Sequence, residues 1–293
     1  MGRRFEYLRP ETVQEACELK ARYGLGSRCI AGGTDLLLQW RNGEVDFGYC
    51  IDLTFVSGLG HYEKTSDGMH IGALTTLSAL ENGIGTDTRM PCIANAAKQM
   101  CTPQIRNFAT VGGNVCNASP AADLPVLFVA LGASAKLLGT AGERNIPLED
   151  LFKGVNETCL EEDEILAEIQ VPLARHRTAP SFRRAGRSVV DVAQVSVAAS
   201  IGIDTSGVIA DAKIALGAVA PTPIRSRIAE EALLGCELGG VNEQLIEKVS
   251  GLAASDARPI SDLRGSSEYR RYMVGVLVKR SIEACVSELG GRP

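Results

Sequence analysis

Several absences in this 293-residue chain exclude whole classes of function. No apolar run approaches the twenty or so residues that span a bilayer, so membrane insertion is not expected. The opening MGRRFEYLRPET has no apolar signal-peptide core, and Met1-Gly2 is followed by Arg without the Ser or Thr of a myristoylation site. The expected location is the cytoplasm. There is no basic excess either: the net charge is −5, and a nucleic-acid binder would need a cationic stripe to displace counterions. Nine cysteines occur, at 17, 29, 50, 92, 101, 116, 159, 236 and 285, yet no two lie closer than nine residues. Without CxxC or CxxxxC spacing no zinc ribbon or locally held iron–sulfur cluster is indicated, and an odd count argues against a disulfide framework. Most of these thiols read as small packed residues; Cys101 and Cys116, beside a glycine pair, are the candidates for reactivity. His61, His70 and His176 are scattered and form no metal pattern.

What is present is a globular composition, 45% hydrophobic and 22% charged, in a chain long enough for about two domains. Its organising stretch is TPQIRNFATVGGNVCNASPAADLPVLFVAL, Thr102 to Leu131. A polar turn leads into Thr110-Val111-Gly112-Gly113-Asn114, and Asp123 stands at the mouth of an apolar helix. Paired glycines flanked by Thr and Asn let a backbone approach a ligand and aim N–H groups at it, which suits a phosphate or pyrophosphate. A tight turn is the simpler reading of one such loop. A second, Ala31-Gly32-Gly33-Thr34-Asp35, lies about eighty residues upstream, and two can clasp one dinucleotide from both sides. Its setting is a buried strand, Arg28 to Ala31, then the glycines, then a helix from Leu36 opened by a capping residue. The glycine spacing is not that of a Rossmann fingerprint, and no Lys-Ser/Thr follows as in a P-loop.

In chain order, a helix begins after Pro10-Glu11-Thr12 and ends at Gly24 and Gly26. Strands are expected at 49–53, 68–73, 133–138 and 165–171, and helices after Thr75 or Thr76 and from Pro91. A turn at 139–142 and a short connector at 146–152 precede the acidic run Glu162-Asp163-Glu164, read as a solvated turn. The clearest boundary is the polar segment between Pro172 and Pro180. Beyond it come a hairpin, 192–203 and 208–219, and helices at 228–234, 242–254 and 267–289. The last carries Tyr272, Val276, Lys279, Ile282 and Val286 along one face. Strands followed by helices indicate a separate α+β domain.

Together these ordered motifs resemble the FAD-binding medium subunit of the molybdenum hydroxylases, notably the separate flavin subunit of bacterial xanthine dehydrogenases. The likeness spans nearly the whole chain: AGGTDLL at 31–37, IGALTTLSALE at 71–81, PQIRNFATVGGNVCNASPAAD at 103–123, DEILAEIQVP at 163–172, FRRAGRSVVDVAQVSVA at 182–198 and VAPTPIRS at 219–226. It implies a vanillyl-alcohol-oxidase-type FAD-binding fold of two α+β subdomains, 1–58 and 59–175, then an α+β domain of the CO dehydrogenase flavoprotein type at 176–293. By the same resemblance, FAD is held by Arg28, Cys29, Ile30, Ala31, Gly32, Gly33, Thr34, Asp35 and Leu36, and by Thr102, Ile105, Ala109, Thr110, Gly112, Gly113 and Asn114. Asp123 would serve the adenosine end, Ile165 and Leu166 the flavin end, and Arg183, where the family often has Lys, the isoalloxazine.

The implied reaction is electron transfer. A large partner subunit would carry molybdopterin and hydroxylate the substrate, and a small partner would carry two [2Fe–2S] clusters. FAD on this chain would pass electrons to NAD⁺ or another acceptor, within a dimer of heterotrimers. The dispersed cysteines agree, since this chain can hold no cluster itself. No general acid, base or metal ligand is assigned. Two other readings remain: a free-standing flavoenzyme of the same fold with its own organic substrate, and a scaffold subunit without flavin.

Overall fold

The computed structural model describes residues 4–83, 90–188 and 190–291. The Met1-Gly2 pair considered for lipidation lies outside the described residues. Three sheets follow one another along the chain. The first is parallel, with β1 (Glu6–Leu8), β2 (Ser27–Ile30) and β3 (Tyr49–Asp52) in the order β1-β3-β2. Parallel neighbours need crossovers, which α1 (Val13–Tyr23) and α2 (Leu36–Asn42) supply. Thr12 caps α1, its hydroxyl accepting from Glu15 N at 3.2 Å, and Gly24 at φ +46° turns the chain out of it.

The second sheet is antiparallel. It is formed by β4 (Tyr62–Lys64), β5 (Gly68–Gly72), β6 (Ser134–Gly139) and β7 (Gly142–Pro147), with β8 (Phe152–Gly154) and β9 (Glu157–Thr158) as a small separate hairpin, and by β10 (Ile165–Pro172). Its order is β4-β5-β10-β6-β7. Between β5 and β6 the chain leaves the sheet, and the described residues there form five helices: α3 (Leu77–Gly83), α4 (Pro91–Lys98), α5 (Pro103–Arg106), α6 (Val111–Cys116) and α7 (Asp123–Ala130). The third sheet, β11 (Arg177–Ala185), β12 (Val195–Ile203), β13 (Ile209–Gly217) and β14 (Ile224–Arg225), is an antiparallel meander followed by α8 (Arg227–Glu231), α9 (Glu243–Asp256) and α10 (Ser267–Glu288).

Every residue of β12 is buried, because both faces of the third sheet are covered. Val197, Ala199 and Ile201 face the core built with α9 and α10, while Ala198 joins the core around α7. Small residues on the α7 side let that helix approach closely: a Cβ on Gly217 would strike the Val126 side chain. All eight residues of α7 are buried, so it is a helix apolar all round below Asp123. The third sheet is thus separate in topology, but welded to the preceding unit through α7.

Four sequence expectations change. The Pro172–Pro180 segment is not wholly a linker, since β11 starts at Arg177 and carries Pro180; an edge strand tolerates the missing N–H. The first two residues of the connector expected at 146–152 belong instead to a strand, β7, paired with β6. The acidic run is a turn with Glu162 exposed, as expected, but its other two carboxylates are anchored in the structure. Asp163 accepts from Thr140 N at 2.8 Å, and buried Glu164 takes both Nε (2.6 Å) and an Nη (2.7 Å) of Arg144. Those hydrogen bonds hold the Glu164 carboxyl below its ordinary range despite burial. Finally, the buried face of α10 is Arg270, Val274, Leu277, Val278, Ser281, Ile282, Cys285 and Val286; Ile282 and Val286 of the predicted stripe lie on it, but Tyr272 is 70% exposed, so the N-terminal half of that stripe is rotated. The histidines are also less scattered than their spacing suggests: His61 Nε2 (3.0 Å) and His70 Nδ1 (2.9 Å) both meet Glu168 on β10, tying the β4–β5 end of the sheet together.

Phe128, fully buried where α7 meets the second and third sheets, tests this weld. Phe128→Ala is expected to cost about 3–5 kcal/mol in urea unfolding, with fluorescence and far-ultraviolet probes moving together. Loss of only the C-terminal part of the transition would contradict it.

Candidate functional site

The two glycine loops meet. A Cβ on Gly32 would collide with the carbonyl oxygen of Phe108, so the turn between β2 and α2 lies directly on the backbone leading into α6. Gly33, at φ +66°, then turns the chain into α2. Across the gap the Thr110–Asn114 segment forms a helix N-terminus, with Thr110 Oγ1 accepting from Gly113 N at 3.0 Å. Gly112 N donates to Ala73 O at 2.7 Å, and a Cβ on Gly112 would stand 2.7 Å from Ala73 Cβ. The glycines therefore serve packing as much as ligand approach: they bring two backbones together without side chains between them.

A two-armed cleft runs through this junction. The outer arm, about 500 Å³, is lined by the 28–36 segment and by Met100, Cys101, Ile105, Asn114, Asn117 and Asn156. The inner arm, about 170 Å³, lies between Lys20, Leu53, Leu74, Leu160, Ile165 and Leu166. Arg28 to Ala31, Gly113 and Cys116 border both. Glu164, clamped by Arg144, fixes the start of β10 and with it Ile165 and Leu166.

Most of the expected residues converge on this cleft. Arg28 to Leu36, Ile105, Ala109, Thr110, Gly113 and Asn114 line the outer arm, and Gly112, Ile165 and Leu166 the inner one. Three are placed differently. Thr102 is the N-cap of α5, its hydroxyl accepting from Ile105 N at 3.4 Å. Arg183 is exposed and lines neither arm; its neighbour Arg184 points inward instead, its Nε 3.4 Å from Asp123 Oδ2. Asp123 is buried in that pair and lines neither arm, though its charge is felt by the Cys101 thiol on the outer wall. The strand from Arg28 also proves half-buried rather than buried, because one side opens on the cleft. Asp35 precedes α2 without a side-chain capping bond.

Sequence reasoning missed Lys20, Met100, Asn117, Asn156 and Arg184. Asn117 was accessible: it stands three residues after Asn114 on one helix face, and accepts from Gln39 Nε2 at 3.2 Å across the cleft. Asn156, at φ +56°, reaches the cleft only through the β8–β9 turn, which no short motif announces.

One feature of the cleft wall suits a polar ligand. The buried Oδ1 of Asn114, a residue of the outer arm, has no hydrogen-bond partner in the protein. Burial also pushes up the Asp35 carboxyl, and the thiols of Cys29 and Cys101, with Cys116 raised to about 12. The cleft thiols are therefore neutral, and the reactivity considered for Cys101 and Cys116 has no electrostatic support. Among the described residues no group of His, Cys, Asp or Glu is arranged to hold a metal ion. With Ellman's reagent at pH 8, Cys116 should react at least about a hundredfold more slowly than a free thiol. Rapid labelling of Cys116 in the folded protein would contradict this assignment.

Comparison with known proteins bears on what fills the cleft. Residues 3–174 match the family model described as the FAD binding domain in molybdopterin dehydrogenase, and residues 180–285 match the CO dehydrogenase flavoprotein C-terminal domain. The carbon monoxide dehydrogenase medium chain of Hydrogenophaga pseudoflava is 31% identical over 281 residues, covering 96% of each chain. The putative xanthine dehydrogenase FAD-binding subunit of Escherichia coli K12 is 30% identical, covering 98% of this chain and 97% of that one. A solved structure of the Hydrogenophaga pseudoflava carbon monoxide dehydrogenase superposes with a TM-score of 0.93 at 32% identity, over 98% of this chain and 99% of that chain. Matching motifs, glycine cradle and fold thus agree, and the chain belongs to the FAD-binding medium subunits of the molybdenum hydroxylase family.

Proposed function

We propose that this oxidoreductase subunit carries FAD in the two-armed cleft. Electrons would come from the [2Fe–2S] clusters of a small partner and go on to NAD⁺ or another acceptor, with substrate hydroxylation on a large molybdopterin subunit. The assembly would be a dimer of heterotrimers in the cytoplasm. The observation that carries the cofactor assignment is the orphaned Oδ1 of Asn114, a residue lining the arm where the two glycine loops meet, to which a dinucleotide could offer a donor. FAD, when bound, supplies the redox chemistry. The chain's own residues supply position and surroundings. The Gly32–Gly33 turn and the N-terminus of α6 would hold the pyrophosphate through backbone N–H groups, with Thr110 and Asn114 ordering them. Arg28, which borders both arms, adds cationic charge beside that position, and Lys20 adds it in the inner arm.

The unequal arms support one orientation. The smaller, apolar-walled arm at Leu53, Ile165 and Leu166 suits the adenine ring, and the larger arm beside Met100 and Cys101 suits the isoalloxazine. This reverses the orientation implied by resemblance alone, and puts Asp123 near the flavin rather than the adenosine. Electron exchange with partners also favours the wider arm for the reacting ring. Arg183, exposed on β11, is then left to the protein surface or a partner.

Native purification tests the proposal. Flavin absorption bands, FAD released at about one per chain, and two co-purifying chains bearing [2Fe–2S] and molybdopterin are the expected result. NADH bleaching of the flavin band would identify NAD⁺ as the acceptor. A yellow protein without partners would point to a free-standing flavoenzyme, and a colourless one unable to take up FAD would refute the reading. Asn114→Ala should weaken FAD binding about tenfold, by removing one buried hydrogen bond.

A further inference from the structure

The chain passes from the parallel sheet to the antiparallel one through residues 53–61, and His61 stands at the end of that crossover. Its Nδ1 lies 2.9 Å from Gly58 O and its Nε2 3.0 Å from Glu168 Oε2. Gln170 Nε2 and His70 Nδ1 reach the other carboxylate oxygen, Oε1, at 2.7 and 2.9 Å. Burial raises the Glu168 carboxyl, but hydrogen bonds from Gln170, His61 and His70 outweigh it and hold the group below its ordinary value. Glu168 is therefore ionised and has no proton to offer. Both partners of the His61 ring are acceptors, a carbonyl and a carboxylate. A neutral imidazole carries one N–H and would leave one of the two contacts as lone pair against lone pair. Only the imidazolium satisfies both.

The cluster borders the inner arm of the cleft. The His61 carbonyl accepts from Gly72 N and from Thr75 Oγ1, each at 2.7 Å, and Leu59 O accepts from Leu74 N at 2.7 Å. Ala167, beside Glu168, accepts from Ala73 N at 2.8 Å. Leu53 and Leu74, before and after the crossover, line the inner arm together with Ile165 and Leu166, which stand just before Glu168 on β10.

From this geometry we infer that His61 is a proton-dependent clasp on the inner arm: as imidazolium it ties the crossover at Gly58 to Glu168 of β10, and as neutral imidazole it releases one of the two. The inference concerns the wall of the cleft and holds whatever ligand the cleft takes. The other charged groups around the cluster do not replace His61. His70 satisfies Glu168 through Nδ1–H alone, because its Nε2 is 3.4 Å from Asp67 in the β4–β5 turn, whose carboxylate already accepts from Thr65. Glu63 on β4 stands opposite His70 and adds only negative charge. Lys136 on β6 is in register with Glu168, but its Nζ is engaged by Glu143 at 2.9 Å. His61 is 39% exposed, so its ring can exchange a proton with solvent while Glu168, 12% exposed, stays in place.

The sign of the pH dependence follows from the two partners. Glu168, held low, makes its contribution above the ordinary carboxylate range and loses it as pH falls through the lowered value. A histidine bonded in its charged form contributes fully in acid and loses that contribution as pH rises through the histidine range. The clasp is thus closed in weakly acidic solution and opens toward alkaline pH.

The test is hydrogen–deuterium exchange of the protein as purified, read at the Gly72 and Leu74 amides as protection relative to the unfolded rate at each pH. Protection should fall about fivefold between about pH 6 and about pH 8.5, the size expected of a half-exposed ion pair. The fall should vanish in His61→Gln and in Glu168→Gln, both left at the alkaline value, and persist in His70→Gln. Equal protection at the two pH values in wild type would overturn the inference. So would a wild-type fall in His61→Gln or Glu168→Gln, or loss of the fall in His70→Gln alone, which would make His70 the titrating group. Should Glu168→Gln fail to fold, His61→Gln decides by itself.

Discussion

Everything in the site depends on two backbones being allowed to touch. At Gly32 the space a Cβ would fill is already taken by the Phe108 carbonyl, and at Gly112 it is taken by Ala73. The first contact joins the parallel sheet to the segment entering α6; the second joins α6 to the end of β5 in the antiparallel sheet. Any side chain at either position would force the two units apart and open the cleft along its length. The close approach has a second effect, because it brings backbone N–H groups from both sides to bear on one anionic position. Packing and ligand recognition are therefore satisfied by the same missing atoms.

The next constraint is electrostatic and lies at the ends of the cleft. Arg144 and Glu164 set the inner end with two short charge-assisted hydrogen bonds, which cost less when one partner remains partly solvated, as Arg144 does. Arg184 and Asp123 sit behind the outer end with both partners buried and their hydrogen bonding incomplete. The first pair is a finished clamp. The second is incomplete within the protein, and its burial is produced by α7, the helix that the second and third sheets share.

Much of this was legible from residue types alone. The glycine loops, the helix capped by Thr12 and the hairpin around Asp204-Thr205-Ser206-Gly207 all carry local signals, and Asp204 Oδ1 does accept from Ser206 N at 2.9 Å and Val208 N at 3.0 Å. What stayed hidden was set by distant partners. Glu164 looks solvated until Arg144, twenty residues away, is folded against it. Pro180 looks like a linker residue until β11 is known to be an edge strand. The buried face of α10 follows from the aliphatic side of β12 and β13, which its own periodicity does not reveal. The inner arm of the cleft is similarly assembled from α1, the segment after β3 and β10, so Lys20 and Leu53 carry no motif of their own.

The exchange of Arg183 for Arg184 shows how little separates a surface charge from a buried one. Successive residues of a strand point to opposite faces, so the two arginines of β11 were bound to part company, and residue type could not say which would turn inward. The decision lies in the register: Ser181 and Phe182 are buried along β11, and Arg184 pairs with Ser196 of β12, the small-residue side that admits α7. An arginine there can extend beside the N-terminus of α7 and meet Asp123, whereas Arg183, opposite Val197, is carried to the other face. Moving that register by one residue would bury the wrong guanidinium and leave Asp123 charged without a partner, a buried ion that the fold could not keep ionised. The strand pairing of the third sheet therefore fixes the charge behind the outer end of the cleft as surely as the glycines fix its walls.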